Sequence, residues 1–146
     1  MGLGFQVTFD AHDPARLAEF WAVALDYVQQ SPPPGFESWE QFAQRIGLPE
    51  EKWDAFAAVM DPEGKGPRVF FQKVPEGKTA KNRVHLDINV SQRGLALDKT
   101  AERRQIVAEH VDQLKAVGAT FVREVDEPNG YCIVLLDPEG NEFCVH

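Results

Sequence analysis

The tetrapeptide Asp-Pro-Glu-Gly occurs twice in this chain, at residues 61–64 and 137–140, each time between two apolar runs. An aspartate that can accept backbone N–H groups, a proline that presets φ and a glycine free to take positive φ together specify a tight turn. Four repeated residues suggest duplication only if the flanks repeat as well. They do. "GFQVTF" (4–9) places Phe5, Val7 and Phe9 on one face and Gln6 and Thr8 on the other, and "RVHLDINV" (83–90) alternates Val84, Leu86, Ile88 and Val90 against His85, Asp87 and Asn89. A period of two is that of a half-buried strand.

Each of these strands leads into a helix. In the first, Asp13 is the expected N-cap and Pro14 opens the first turn, where a missing N–H costs nothing; Leu17, Phe20, Trp21, Ala24 and Leu25 form an apolar stripe. In the second, "TAERRQIVAEHVDQLKAVGA" carries Ile106, Val107, Val111, Leu114 and Val117 on one side, with Gly118 as the stop. Three strands follow each helix: "YVQQ", "AFAAVM" (55–60) and "RVFFQKV" (68–74), then "TFVREV", "GYCIVLL" and "NEFCVH". The sequence therefore predicts an α+β fold of two βαβββ modules, residues 1–75 and 83–146, within one domain spanning 1–146. From Gln6 to Asp61 is 55 residues and from His85 to Asp137 is 52, so the copies match in length. One module leaves a curved mixed sheet with a bare concave face, and two are expected to close a half-barrel over a shared cavity.

The first copy carries a helical insertion at 31–54. "SPPPGFES" is a stiff connector, since each proline fixes its own φ and removes a donor. Ser38 and Gly47 bracket one predicted helix, and Pro49 starts another in "LPEEKWDAFAAVM". Trp21 is expected in the core. Trp39 and Trp53, in the insertion, suit an apolar cleft wall or a dimer surface.

Composition excludes some classes of function. A net charge of −8 and no basic stripe argue against a nucleic-acid partner. No apolar run approaches the length of a membrane span, and the first residues lack the basic and apolar regions of a signal peptide, so a cytoplasmic protein is expected. Two cysteines, Cys132 and Cys144, are too few for a disulfide framework and are read as free thiols.

The duplicated module, with "RVFFQKVPEGKTAKNRVHLDINV" joined to "LLDPEGNEFCVH", resembles the vicinal oxygen chelate superfamily of glyoxalases, fosfomycin- and bleomycin-resistance proteins and extradiol dioxygenases, and within it the glyoxalase-like domains. The resemblance implies a homodimer and a small-molecule ligand. It also implies a divalent metal (Zn, Ni, Mn or Fe) bound by side chains from the first and last strand of each module. Carried over by position, the ligands are Gln6, Gln72, His85 and Cys144. The usual last-strand glutamates are replaced here by Gln72 and Cys144, so the set supplies at most one negative charge, and glutamine is a poor neutral donor. Glu142 lies two residues from Cys144 and so shares its face.

Three functions follow from these residues. In a lyase or isomerase of the glyoxalase type, the metal polarises an oxygen, and Glu142 or His85 moves a proton. A sequestering protein needs only a lining such as Gln6, Phe70, Gln72 and Cys144. A metal-free enzyme would use His85 as base and Gln6 or Gln72 as oxyanion donors. His85 is equally a neutral imidazole in a polar wall, Gln72 a satisfied buried amide, and Cys144 a small packed side chain.

The two thiols depend on one register. A turn centred on Pro138 would set Cys132 opposite Cys144 on one face. A turn holding all of Asp-Pro-Glu-Gly keeps proline out of the ladder and pairs Leu136 with Asn141. The second is the expectation: Cys144 toward the cavity, Cys132 behind the sheet, and two independent thiols.

Overall fold

A computed structural model describes residues 1–90 and 100–146. They form two compact units, Met1–Gly77 and Lys78–His146. Among the described residues no helix is long and apolar enough to cross a membrane.

The first unit runs β1 (Val7–Ala11), α1 (Pro14–Leu25), β2 (Val28–Gln29), α2 (Trp39–Arg45), a 3-10 turn (Glu50–Lys52), β3 (Phe56–Met60) and β4 (Val69–Lys73). Its sheet has the order β1-β4-β3-β2, with β1 parallel to β4 and the other pairs antiparallel. Helix α1 starts as its sequence dictates: the Asp13 carboxylate accepts the Arg16 N–H at 3.2 Å. It ends at Asp26, which turns the chain at φ 56°. The buried stripe of Leu17, Ala18, Phe20, Trp21 and Ala24 packs on the sheet, with the Phe9 ring 5.0 Å from Trp21 and 5.3 Å from Phe71.

Two local expectations shift. Phe5 is exposed because β1 begins only at Val7. The helix expected after Pro49 shrinks to one 3-10 turn, since Pro49 offers no side-chain cap; Trp53 instead donates its indole N–H to the Leu48 carbonyl at 2.9 Å. Trp39 does likewise to the Gln30 carbonyl at 2.9 Å, and with Phe36 and Phe42 it forms a small aromatic cluster of the insertion. An open depression of about 490 Å³ lined by Gly35, Phe36, Gln41, Gln44 and Arg45 lies on this insertion and gathers no reactive side chains.

The second unit repeats the plan with β5 (Asp87–Ile88), α3 (Ala101–Ala116), β6 (Thr120–Glu127), β7 (Gly130–Leu136) and β8 (Glu142–Val145). The order is β5-β8-β7-β6, with β5 parallel to β8. Strand β5 is shorter than the alternation over 83–90 suggested, and Val84 is 80% exposed, because only the stretch beside β8 finds ladder partners. Helix α3 is rotated from its expected stripe: Arg103, Val107, Val111 and Leu114 face inward while Ile106 and Val117 face out. The helix packs against β7 and β8, and Ile88, Ile133, Leu135, Phe143 and Val145 of the sheet are buried.

Both Asp-Pro-Glu-Gly turns are built alike. Asp61 Oδ1 accepts the Glu63 N–H and Asp137 Oδ1 the Glu139 N–H, each at 2.9 Å. The glycine N–H then closes onto the aspartate carbonyl at 3.0 Å (Gly64) and 2.9 Å (Gly140). The two glycines sit at φ 69° and 86°, a region in which a Cβ is costly.

Candidate functional site

The polar face of the second sheet follows from its register. Asp87 is the partner of Cys144 across the parallel β5–β8 pair, and Val134 is its partner across the β7–β8 hairpin. Residues two apart share a face, so Cys132, Glu142, Cys144 and His146 lie together, and Ile133, Leu135, Phe143 and Val145 face the core.

This register overturns the expected separation of the thiols. Asp137 donates its N–H to the Asn141 carbonyl at 2.9 Å, which makes Asp137 and Asn141 the closing pair and sets Leu136 opposite Glu142. The loop proper is Pro138, Glu139 and left-handed Gly140, the three-residue hairpin of a type I turn followed by a glycine bulge. Pairing Asn141 with Asp137 rather than with Leu136 shifts the register by one residue and moves Cys132 to the face that Cys144 occupies.

Five side chains meet there. The ligating atoms of Cys132, Cys144 and His146 all lie within 4.8 Å of one another, and so do those of His85, Asp87 and Cys144. Asp87 Oδ1 is 3.2 Å from His85 Nε2 and 3.5 Å from His146 Nε2. Burial, then the neighbouring Cys132 and Asp87, pushes the Cys144 thiol up to about 12. Burial also raises Cys132, so with no cation present both sulfurs hold their protons. Glu142 is on the same face but engaged elsewhere. It accepts the Asn82 N–H at 3.0 Å and pairs with Lys78 at 3.4 Å, and the Asn82 N–H is the main reason its carboxyl is held below the ordinary range.

In the first unit the equivalent face carries Gln6, Thr8 and Asp10 on and before β1, and Arg68, Phe70 and Gln72 on and before β4, again by the period of two. Phe71, one residue on from Phe70, is fully buried on the opposite face. The guanidinium of Arg68 organises this surface. It donates from Nη1 to Gln6 Oε1 at 2.9 Å, and from Nε and Nη2 to Gln30 Oε1 at 2.9 and 2.7 Å. It also lies 4.9 Å above the Phe70 ring, on which Phe56 stacks at 5.7 Å. Gln72 donates its amide N–H to Asp10 Oδ1 at 2.8 Å.

These contacts bear on the metal that the resemblance implied. The oxygen of Gln6 is already the acceptor of a cation, and a guanidinium 4–5 Å from a dication repels it by roughly 6–8 kcal/mol at an effective dielectric near 20. The oxygen of Gln72 offers a neutral donor beside a carboxylate that is not in the expected ligand set. Gln6 and Gln72 therefore do not suit a divalent ion. In the second unit, His85 and Cys144 gain Asp87 within ligand range, a residue type that does. Sequence reasoning passed over Asp87, Arg68 and His146 as functional groups, and it set Cys132 behind the sheet, away from Cys144. Their signal was parity: Asp87 is two residues from His85, Arg68 two from Phe70, and His146 two from Cys144.

Comparison with known proteins agrees with this architecture. No curated protein matches the sequence. Among solved structures, a variant of the fosfomycin resistance protein FosX from Listeria monocytogenes, complexed with Mn(II) and 1S,2S-dihydroxypropylphosphonic acid, superimposes with a TM-score of 0.62 at 13% identity over 100% of this chain and 90% of that one. A glyoxalase/bleomycin resistance protein/dioxygenase family enzyme from Burkholderia phytofirmans PsJN gives 0.60 at 17% identity, over 96% and 94%. TioX from Micromonospora sp. ML1 gives 0.53 at 18% identity, over 99% and 97%. The family model for the glyoxalase-like domain matches residues 6–146, and the chain therefore belongs to the glyoxalase-like domain family, within the vicinal oxygen chelate superfamily.

Proposed function

We propose that this protein binds and sequesters a small anionic molecule that carries a planar apolar group, and that the first unit's sheet face supplies the recognition. One observation carries the proposal: Arg68 is a partly buried guanidinium held only by neutral amide oxygens. Among the described residues no carboxylate pairs with it. A cation fixed by neutral acceptors keeps its charge available, and guanidinium geometry matches carboxylates, phosphates and phosphonates. Phe70 and Phe56 beside it offer a stacked aromatic surface for the rest of the ligand. The lyase or isomerase reading relied on a metal at Gln6, Gln72, His85 and Cys144 with Glu142 as proton carrier. The engagement of Gln6 by Arg68 and of Glu142 by Asn82 and Lys78 favours binding without chemistry.

The test is calorimetric titration with a panel of planar aromatic carboxylates and phosphonates and their uncharged amide counterparts. Anionic members should bind and neutral ones should not. Arg68→Gln should weaken binding by about 10- to 100-fold, the loss of one charge-assisted hydrogen-bonding group. Bound ligand should be recovered chemically unchanged. Equal affinity for charged and neutral members, or an unaffected Arg68→Gln variant, would remove the basis of the proposal.

A further inference from the structure

We infer that Cys132, Cys144 and His146, with Asp87 as fourth ligand, form a tetrahedral site for a thiophilic divalent ion of the zinc type, contained wholly within residues 78–146. This set shares only Cys144 with the ligand positions implied by the family, and it does not rest on the anion-binding reading of the first unit.

The donor chemistry is the first argument. Two sulfurs, an imidazole and a carboxylate are the combination that zinc takes, whereas oxygen-rich sites suit manganese or magnesium. The geometry is the second. In a tetrahedral zinc site with Zn–S near 2.3 Å and Zn–N near 2.0–2.1 Å, ligand atoms are separated by roughly 3.3–3.8 Å. The three atoms of Cys132, Cys144 and His146 already lie within 4.8 Å of one another, so side-chain rotations that bring each in by about 1 Å complete the set. Asp87 is the direct cross-strand partner of Cys144, and its Oδ1 stands 3.5 Å from His146 Nε2.

The third argument is an unmet need. Both ring nitrogens of His146 are shielded from solvent and make no hydrogen bond among the described residues. The 3.5 Å approach to Asp87 is an ion-pair distance without hydrogen-bond geometry. A buried donor or acceptor left unpaired is costly, and coordination would satisfy one of these nitrogens. His85, 3.2 Å from the same Asp87 oxygen, then acts as a positioning residue that orients the carboxylate. The hairpin that presents both thiols is held in register by the buried Asp137 turn, so the sulfurs meet without help from another chain. On binding, each thiol releases its proton to solvent and the sulfur donates an electron pair to the ion, with no change of oxidation state.

The experiment is titration of the reduced full-length protein with Co(II), then displacement by Zn(II) in the presence of a chromophoric chelator. The expected result is a stoichiometric complex showing thiolate-to-cobalt charge transfer and the intense visible bands of tetrahedral cobalt. Cys132→Ser should weaken zinc binding by at least about 100-fold, since it removes a thiolate from the set, and His85→Ala by about 10- to 100-fold. Gln6→Leu and Gln72→Leu should leave it unchanged. A measurement on the unaltered chain covers variants that fail to fold: stoichiometric Zn(II) should slow alkylation of Cys132 and Cys144 together, as read by mass spectrometry. Octahedral cobalt spectra, binding that survives Cys132→Ser but is lost in Gln6→Leu, or protection of Cys144 alone would overturn the inference. So would a Cys132–Cys144 disulfide recovered in the presence of zinc.

Discussion

Replacing Asp137 by alanine probes the turn that presents the thiol cluster. The residue is only 3% exposed, and its carboxylate accepts the Glu139 N–H at 2.9 Å, the Asn141 N–H at 3.0 Å and the Asn141 side-chain N–H at 2.9 Å. Hydrogen bonds to a charged group contribute about 1.5–3 kcal/mol each, so three would sum to about 5–9. Two effects offset part of this: the mutant no longer buries a charge, and water reaches the partly exposed turn. The net loss should be about 2–4 kcal/mol. With a urea m-value of about 2 kcal/mol/M, the midpoint followed by far-ultraviolet circular dichroism should fall by about 1–2 M. The duplicated turn supplies an internal control. Asp61 makes the same turn near the surface, so Asp61→Ala should cost less. A loss below about 1 kcal/mol for Asp137→Ala, or a larger loss for Asp61→Ala, would refute the claim that the buried carboxylate holds the β7–β8 register.

Other outcomes follow from the same geometry. The Asp61 carboxyl lies below the ordinary range, chiefly because the Glu63 and Gly66 N–H groups point at it. Its contribution is therefore complete above the unfolded value near 4 and is lost as the pH falls through the lower folded value. Asp61→Asn should flatten the acid limb of a melting-temperature profile below about pH 4, and superimposable limbs would contradict the assignment. Phe71→Ala opens a cavity under α1 at a fully buried position and should cost about 3–5 kcal/mol. Because Trp21, Trp39 and Trp53 all lie in the first unit, tryptophan fluorescence should report it, and an unchanged unfolding midpoint would contradict it. The edge strands β2 and β6 expose Val28, Phe121 and Val122, which supports a homodimer; sedimentation as a 16.4 kDa species at micromolar concentration would count against it.

Much of the fold was legible because its signals are local. The Asp13 and Ser38 caps, the stop at Gly118 and the strand alternation that divides Phe70 from Phe71 each depend on residues a few positions apart, and the structure places them as read. The repeated turn disclosed the duplicated strand order for the same reason. Readings that needed an energetic competition fared worse. Helix α3 turned Arg103 inward and Ile106 outward, since a mixed stripe can be rotated by one position until the sheet beneath it selects a face. The short β5 was decided by the reach of its neighbour β8.

The sequence by itself determined which residue types stand on which strand parity: His85 with Asp87, Cys144 with His146, Gln6 with Thr8. That information is carried by the covalent chain, because successive side chains of a strand must alternate. Only the tertiary structure decided which of those faces meet. The pairing of Asp87 with Cys144 joins strands 57 residues apart, the Arg68 bond to Gln6 spans 62 residues, and the position of Cys132 turned on whether Asn141 paired with Leu136 or with Asp137. Each of these is a choice between registers with the same local sequence preferences. The choice falls to whichever register buries the opposite face and satisfies the turn's hydrogen bonds at once.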